Sequence, residues 1–421
     1  MKRTAAYYII LLGLLGLAIV AVLRLGSQLP VSAAAAAASA GEPVLASVKG
    51  ALLKHLDEPL SHLFVQLLVI IPAARLTGRA FSAFGQPAVI GEMAAGILLG
   101  PSLFGALAPG AFAFVFPEPS LGALKLLSQV GVCLFMFSVG MELDVRQLRN
   151  KAHAAVVVSH ASIVVPCFLG VVLAYFLFVR LAQPGTTFTA FALFMGISMS
   201  ITAFPVLARI LKERGLTQTP LGGMAIVCAA VDDVTAWSLL AFVVAIARAS
   251  SVAACAWNLA LVAGFVGLML AVVRPLLKRG IGRAGLEASE PTKGALATVL
   301  CVVVAASLCT EVIGIHALFG AFLAGAIMPQ DGDFRHKLTV RVENFASVFL
   351  LPLFFVFTGL RTRLGLVNDA EGWLLTAGII AVATAGKLGG TAVTARVTGM
   401  RWRESLQLGA LMNTRGLMEL I

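Results

Sequence analysis

The sequence predicts an all-α membrane protein built from an inverted repeat, and three observations lead to this fold class. The chain of 421 residues is 59% hydrophobic and 12% charged, whereas soluble domains carry roughly 25% charged residues. Apolar stretches long enough to cross a bilayer recur along the chain, and the charged residues cluster between them. The two halves of the sequence also carry similar motifs in the same order. The spans are predicted to be helices, because the alternating pattern of a membrane barrel is absent from the sequence.

The N-terminal residues form a separate segment. An apolar run over 7–23 follows Lys2 and Arg3 and precedes an Ala/Ser-rich stretch, 32–40. This pattern fits a signal peptide that is cleaved after about Ala40, and it fits an uncleaved N-terminal helix equally well. We therefore assign residues 1–40 to one of these two, and residues 55–421 to a transmembrane domain.

The transmembrane domain is predicted to contain twelve spans. They are 61–84, 86–107, 121–141, 154–180, 188–210, 220–247, 252–274, 294–310, 313–329, 345–360, 372–397 and 405–421. With the N-terminus in the cytoplasm, most of the 31 Lys and Arg residues lie on the cytoplasmic side, as the positive-inside rule requires. The net charge of +11 therefore marks cytoplasmic loops and does not indicate a nucleic-acid partner. The last span reaches Ile421 without a basic anchor, so we expect the natural protein to continue with at least one more core helix.

Three motifs of the first half return in the second half. Residues 89–101 resemble 318–329, residues 134–140 resemble 353–359, and residues 195–202 resemble 408–415. The members of each pair are seven spans apart, which is an odd number, so partner helices point in opposite directions. Inverted repeats are common in secondary transporters, whose substrate sites lie near the membrane midplane where the repeats meet.

The third pair of motifs carries polar residues in the middle of both spans. Ser200 and Thr202 precede Pro205, and proline removes a backbone donor and interrupts a helix. The corresponding polar residues of the second half are Asn413, Thr414 and Arg415. Two interrupted helices at corresponding positions are the best indication of a transporter's binding site in a sequence.

Four ionisable residues lie deep in predicted spans. A charge is costly at that depth, so each of these residues is a candidate for a functional role. They are Asp232, Asp233, Lys387 and Arg415. Arg415 belongs to the second interrupted helix, where it can neutralise the negative ends of half-helices. Three others, Glu92, Glu311 and His316, lie nearer to span ends, where we expect packing or a loop salt bridge.

Asp232 and Asp233 form an adjacent acidic pair in the middle of an apolar run. Adjacent residues of a helix point about 100° apart, so the two carboxylates face different neighbours, and Lys387 is the obvious cationic partner for one of them. Burial favours the protonated form of a carboxylate, whereas a nearby cation favours the ionised form. A carboxylate balanced between these effects binds a proton or a metal cation, but not both, and this competition is the basis of antiport.

Several motifs together resemble the second family of monovalent cation/proton antiporters, which includes Kef-type potassium efflux proteins and plant cation/proton exchangers. The motifs are Gly85–Glu92 with Gly100–Ser102, Phe137–Glu142, Ser200–Pro205, Val231–Trp237, His316–Gly325, Gly386-Lys387 and Met412–Leu420. The resemblance extends from about residue 55 to the end of the sequence.

The resemblance implies the cation/proton antiporter fold, with two crossed discontinuous helices and a mobile core beside a dimerisation domain. It implies thirteen core helices, elevator-type alternating access and a homodimer in the cell membrane. It also implies that Asp233 carries the exchanged ion. Relatives with Asn or Gln at the position of Asp232 are usually electroneutral, whereas those with two acids and a lysine like Lys387 tend to move net charge.

The leading hypothesis is exchange of Na⁺ or K⁺ for H⁺, with no enzymatic activity and no cofactor beyond the transported ions. Asp233 binds the cation or the proton, and Asp232 pairs with Lys387 in one state and helps to coordinate the ion in the other. Ser200 and Thr202 complete an oxygen site with backbone carbonyls. The alternatives are a ligand-gated Kef-like potassium efflux channel and a sodium-coupled organic anion symporter on a similar fold. An intramembrane aspartyl protease is disfavoured because it needs its two aspartates on separate helices.

Overall fold

The computed structural model of the chain describes residues 24, 55–56, 58–142, 152–247, 252–279, 292–329 and 332–416. Residues 1–61 and 62–421 form two compact units. Apart from Arg24, the predicted N-terminal segment 1–40 lies outside the described residues. In the first unit, His55 Nδ1 lies 3.2 Å from Glu58 Oε1. The second unit contains the helices that form the candidate site.

The described residues form helices joined by short connections. In chain order the helices are α1 (Pro59–Ala83), α2 (Ala88–Leu99), α3 (Phe104–Leu107), α4 (Pro109–Val115), α5 (Leu121–Glu142), α6 (Ala152–Leu181), α7 (Phe188–Ser198), α8 (Phe204–Glu213), α9 (Pro220–Ala247), α10 (Val252–Leu268), α11 (Lys293–Ile313), α12 (Ala317–Ala326), α13 (Gly332–Phe345), α14 (Leu351–Leu360), α15 (Ala370–Val397) and α16 (Trp402–Met412). Short π-helical turns, Met269–Val273 and Ala346–Leu350, follow α10 and α13.

Eight helical stretches of the described residues are long and apolar enough to cross a membrane. They are Pro59–Ala83, Ala88–Leu107, Pro109–Glu142, His153–Leu181, Ala260–Arg279, Lys293–Ile313, Lys337–Leu366 and Ala370–Val397. Helices α7 and α12 are apolar but shorter. The chain is thus a multi-pass membrane protein, as its composition predicts.

Two predicted spans have different boundaries in the structure. The span predicted over 345–360 is the second part of a longer helical segment that starts at Gly332. The first turns of this longer segment are polar. Hydropathy locates the apolar part of a helix and not its first residue, so the prediction began too late. The span predicted over 313–329 contains a helix of ten residues, α12. Such a helix is about 15 Å long, half the thickness of the hydrocarbon core.

The inverted repeat is visible in how the helices pair. Helix α2 packs against α14, and α5 packs against α12, so each half contributes one helix to each pair. A methyl group added to Gly96 would lie 2.8 Å from Gly359 Cα, and one added to Gly325 would lie 2.8 Å from the Met141 nitrogen beside Gly140. The sequence alignment of the halves matches Gly96 with Gly325 and Gly140 with Gly359. The two crossings are therefore equivalent positions of the repeat, and small residues allow the backbones to approach.

Replacing Gly140 by Ala is expected to destabilise the protein by about 1–3 kcal/mol, the usual cost of overpacking. The added methyl group would meet the carbonyl oxygen of Phe322 and lie 3.0 Å from the Ala326 nitrogen. Thermal denaturation in detergent measures the effect. Gly122→Ala, on the same helix, is the matched control because no atom lies within 4 Å of its added methyl. Equal denaturation temperatures for the two variants would contradict the close crossing.

A second group of helices surrounds the acidic pair. Helix α6 packs against α15, α7 and α9, and α16 packs against both α15 and α9. The midpoint of α9 lies in this group and carries Asp232 and Asp233. The same group contains both interrupted segments.

Candidate ion-binding site

The two interrupted segments cross and hydrogen-bond to each other. Helix α7 ends at Ser198 and α8 begins at Phe204, with Pro205 in the first turn of α8, where its missing N–H costs nothing. The Ala203 nitrogen donates to the Thr414 carbonyl oxygen at 2.9 Å. Thr202 Oγ1 donates to the Met412 carbonyl oxygen at 3.1 Å. The predicted span 188–210 is therefore interrupted, as its polar motif indicates, and α16 ends at Met412 within the predicted span 405–421, whose residues 417–421 lie outside the described residues.

Half-helix ends bring partial charges to the crossing. The backbone carbonyl groups at the C-terminal ends of α7 and α16 carry a negative partial charge, and the backbone N–H groups at the N-terminal end of α8 carry a positive one. Arg415 lies among them. Its Nη1 donates to the Met199 carbonyl oxygen at 3.0 Å, and its Nη2 donates to the Ala383 carbonyl oxygen of α15 at 2.9 Å. The guanidinium thus links one half-helix end to α15.

Asp232 is fully buried and accepts hydrogen bonds at both carboxylate oxygens. Lys387 Nζ lies 2.8 Å from Oδ2, and the Thr202 nitrogen donates to the same oxygen at 3.2 Å. Ser162 Oγ lies 2.8 Å from Oδ1, with Ser159 Oγ at 3.5 Å. These donors come from three elements, α6, the α7–α8 break and α15, so Asp232 joins all of them to α9.

Lys387 is also fully buried, in the middle of α15. Besides its ion pair with Asp232, its Nζ donates to the Ser200 carbonyl oxygen. Small residues around it let α15 lie close to α6: a methyl group on Gly386 would come within 3.1 Å of Pro166 Cα, and one on Gly390 within 3.2 Å of the Ala161 carbonyl oxygen. The ion pair therefore lies in tightly packed backbone.

Asp233 is buried too, with 2% of its surface exposed. Successive helical residues point about 100° apart, so Asp233 faces a different side of α9 from Asp232. A buried carboxylate beside a second carboxylate is costly when both are ionised. The site thus holds two acids in unequal surroundings.

The structure places the remaining predicted residues in and around the crossing. The hydroxyl of Ser200 donates to the Gly196 carbonyl oxygen at 2.6 Å, and that of Thr414 donates to the Leu411 carbonyl oxygen at 2.7 Å. Asn413 Oδ1 accepts from Arg415 Nε at 3.3 Å. Hydroxyl oxygens that donate in this way keep lone pairs for a cation.

Sequence reasoning missed two site residues, Ser159 and Ser162. Both are fully buried on α6 and point at Asp232. A signal was present: two hydroxyl residues three positions apart share one face of a helix within the largely apolar predicted span 154–180, which also contains His160.

A second charged cluster lies at one end of α8, on the side that the sequence assigns to the cytoplasm. Lys212 Nζ lies 2.5 Å from Glu142 Oε1 on α5 and 2.7 Å from Glu343 Oε2 on α13. Arg209 Nε pairs with Glu213 Oε1 at 2.8 Å, and Glu213 Oε2 accepts from the first nitrogen of α2, that of Ala88, at 2.8 Å. The cluster ties the second half of the interrupted helix to the helix pairs of the repeat.

The three ionisable residues at span ends have structural contacts. Glu92 is buried, and its Oε1 lies 3.7 Å from Arg209 Nη2. Glu311 Oε2 accepts from the Ala317 nitrogen at 3.0 Å, and His316 Nδ1 accepts from the Leu318 nitrogen at 3.4 Å. Glu311 and His316 therefore cap the N-terminus of α12, where negative charge is favourable.

Comparison with known sequences identifies relatives along nearly all of the transmembrane region. The family model described as "Sodium/hydrogen exchanger, transmembrane" matches residues 66–421. The chain is 43% identical over 360 residues to the Na(+)/H(+) antiporter NhaS4 of Synechocystis, covering 85% of this chain and 88% of that one. It is 39% identical to Cation/H(+) antiporter 20 of Arabidopsis thaliana and 31% identical to K(+)/H(+) antiporter 1 of Saccharomyces cerevisiae, covering 87% of this chain in each case. It spans 45% of the plant protein and 42% of the yeast protein.

A solved structure has the same fold. The sodium proton antiporter MjNhaP1 from Methanocaldococcus jannaschii superposes with a TM-score of 0.62 at 14% identity, covering 86% of this chain and 85% of that one. This similarity confirms the predicted cation/proton antiporter fold with its crossed discontinuous helices. The match of the family model over residues 66–421 confirms the predicted relationship, and the chain belongs to the sodium/hydrogen exchanger family.

Proposed function

We propose that this chain is a cation/proton antiporter in which Asp233 binds a monovalent cation and a proton in turn. The observation that supports this role is the buried pair Asp232-Asp233 beside the crossing of two interrupted helices, with Lys387 2.8 Å from Asp232. Intramembrane carboxylates are costly, and transporters place their ion sites at such interruptions.

Asp232 and Lys387 have a different role from Asp233 in this proposal. Their ion pair compensates one carboxylate and leaves Asp233 as the exchanging group. When the cation binds, Asp232 turns from Lys387 to help coordinate it, and the freed Lys387 stays near the Ser200 carbonyl oxygen that it already contacts. For each cation bound, Asp233 releases one proton and the separated pair of Asp232 and Lys387 releases a second, so more than one proton moves per cation and we propose electrogenic exchange.

The cation site is built from oxygen atoms of the chain itself. Asp233 and Asp232 supply carboxylates, and Ser200 and Thr202 supply hydroxyls next to the unwound backbone. Carbonyl groups at half-helix ends commonly coordinate Na⁺ in transporters. Asn413, Thr414 and Arg415 shape the opposite wall, and Arg415 balances the carbonyl ends. No cofactor has a role in this scheme.

Alternating access is proposed to occur by movement of the site helices, which are α6 to α9, α15 and α16, past the helix pairs α2–α14 and α5–α12. The protein is proposed to act as a homodimer in the cell membrane. The cluster around Lys212 joins α8 to α5 and α13 on the predicted cytoplasmic side. These partly buried ion pairs must separate when the site helices move. Their closed geometry supports the view that this arrangement is one end state of the cycle.

The exchange reaction can be measured in proteoliposomes that contain a pH-sensitive dye. We expect Na⁺ or K⁺ added on one side to enter the opposite compartment and to drive protons out of it, towards the side of the added cation, with a saturable dependence on cation concentration. An imposed membrane potential is expected to change the rate because the exchange moves charge. Testing both cations over the same concentration range identifies the preferred one.

Recordings of ionic current and of solute uptake with the same reconstituted protein, beside the dye assay, give results that would contradict the proposal. Cation flux that produces single-channel currents and does not saturate would indicate a channel. Sodium-dependent uptake of an organic anion without proton movement would indicate a symporter. The absence of any cation-driven pH change with either ion would exclude antiport by this chain.

A further inference from the structure

The hydroxyl group of Ser162 is shared by two acceptors. Ser162 Oγ lies 2.8 Å from Asp232 Oδ1 and 2.8 Å from the Ser159 carbonyl oxygen one turn earlier in α6. A serine hydroxyl has one proton and donates to one acceptor at a time. Rotation about the Cβ–Oγ bond moves that proton from one acceptor to the other, so the choice requires no backbone movement.

We infer that Ser162 is a positioning residue that transfers its donated hydrogen bond from Asp232 to the Ser159 carbonyl oxygen when Asp232 leaves Lys387 for the cation. The inference rests on the proposed function. Helix α6 contains no residue of the predicted site. Through Ser162, it controls how easily Asp232 leaves Lys387 and becomes available to the cation.

Burial explains why such a switch is needed. Ser162 and Asp232 have no exposed surface, and a buried donor without a partner costs free energy. If the hydroxyl could bond only to Asp232, release of the carboxylate would leave it unsatisfied. The Ser159 carbonyl oxygen removes that cost because it lies at the same distance.

The two hydrogen bonds differ in strength, and this difference sets the direction of the effect. The bond to Asp232 is made to a carboxylate, and charge-assisted hydrogen bonds are roughly twice as strong as neutral ones. Ser162 therefore favours the arrangement in which Asp232 is paired with Lys387, and it holds back the arrangement in which Asp232 faces the cation.

Ser162→Ala is expected to lower the half-saturating cation concentration about fivefold, since it removes a charge-assisted bond from the ion-paired state and a neutral bond from the cation-bound state. Two measurements test this in the full chain: the KM for cation-driven proton movement, and the Na⁺ or K⁺ concentration that half-maximally raises the denaturation temperature. A residue that merely fills space would leave the KM unchanged or raise it.

Matched variants separate the effect of the hydroxyl group on the KM from the effect of side-chain volume. Ser162→Thr keeps a hydroxyl and is expected to restore the wild-type KM, whereas Ser162→Cys keeps the volume with a weak donor and is expected to behave like Ala. Ser138→Ala is the control, because Ser138 is equally buried and its hydroxyl donates to the Phe135 carbonyl oxygen at 2.7 Å. We expect it to leave the KM unchanged.

The outcomes distinguish this inference from the proposed function. If the wild-type chain exchanges cations and Ser162→Ala has an equal or higher KM, the switch is wrong and antiport stands. If Ser162→Thr fails to restore the KM, the hydroxyl is not the cause. If the wild-type chain shows neither exchange nor stabilisation by cations, the proposed function itself fails.

Discussion

Asp233→Asn is expected to reduce cation-driven proton movement to the level of vesicles that lack the protein. An amide has the shape of the carboxylate, but it neither ionises nor takes up a proton in this pH range, so the competition between cation and proton is lost. Inside-out vesicles with a pH-sensitive dye measure the exchange, and size-exclusion elution in detergent shows that the variant folds.

The control for this variant is another carboxylate of the same protein. Glu371 on α15 pairs with Arg180, and its side chain is 53% exposed. Exposed ion pairs contribute little to stability, so Glu371→Gln is expected to exchange at the wild-type rate. Exchange that survives in Asp233→Asn would exclude Asp233 as the ion carrier.

The fold was predictable because lipid limits the choices. Apolar spans in lipid are helices. The glycine motifs around Gly96 and Gly140 recur in the other half of the sequence, and in the structure these glycines lie where helices of the two halves cross. Helix ends were less predictable: the apolar residues of α14 are preceded by α13, a largely polar helix that begins at Gly332. Hydropathy reports the solvent around a helix, and it does not report where its hydrogen bonds end.

The charged residues of the candidate site were predictable, because a charge inside a membrane span costs free energy. Asp232, Asp233 and Lys387 stand out because ionisable residues are rare within membrane spans and mark functional sites there. The serines of α6 did not, since a hydroxyl in a membrane helix can satisfy itself on its own backbone. Ser138 does this, and in sequence it looks the same as Ser162. The three-dimensional position of Asp232 separates the two, whereas the spacing of Ser159 and Ser162 shows only that they share a helix face.

The ion pair between Asp232 and Lys387 leads to the other large expected effect. Lys387→Ala leaves a fully buried carboxylate without its cation, and breaking a buried pair in this way typically costs about 3–5 kcal/mol. A second change, Asp232→Asn, removes the charge that was left behind. The double variant is therefore expected to recover most of the lost stability, and thermal denaturation of the four proteins forms a double-mutant cycle.

Function separates this pair from a purely structural one. In the proposed cycle, Asp232 and Lys387 determine whether exchange moves net charge. The double variant retains Asp233 and is expected to exchange cations at a rate that no longer responds to an imposed membrane potential. If destabilisation by the two single changes were simply additive, the pair would not be coupled in the folded state. If the potential dependence persisted in the double variant, a group other than Asp232 and Lys387 would carry the additional charge.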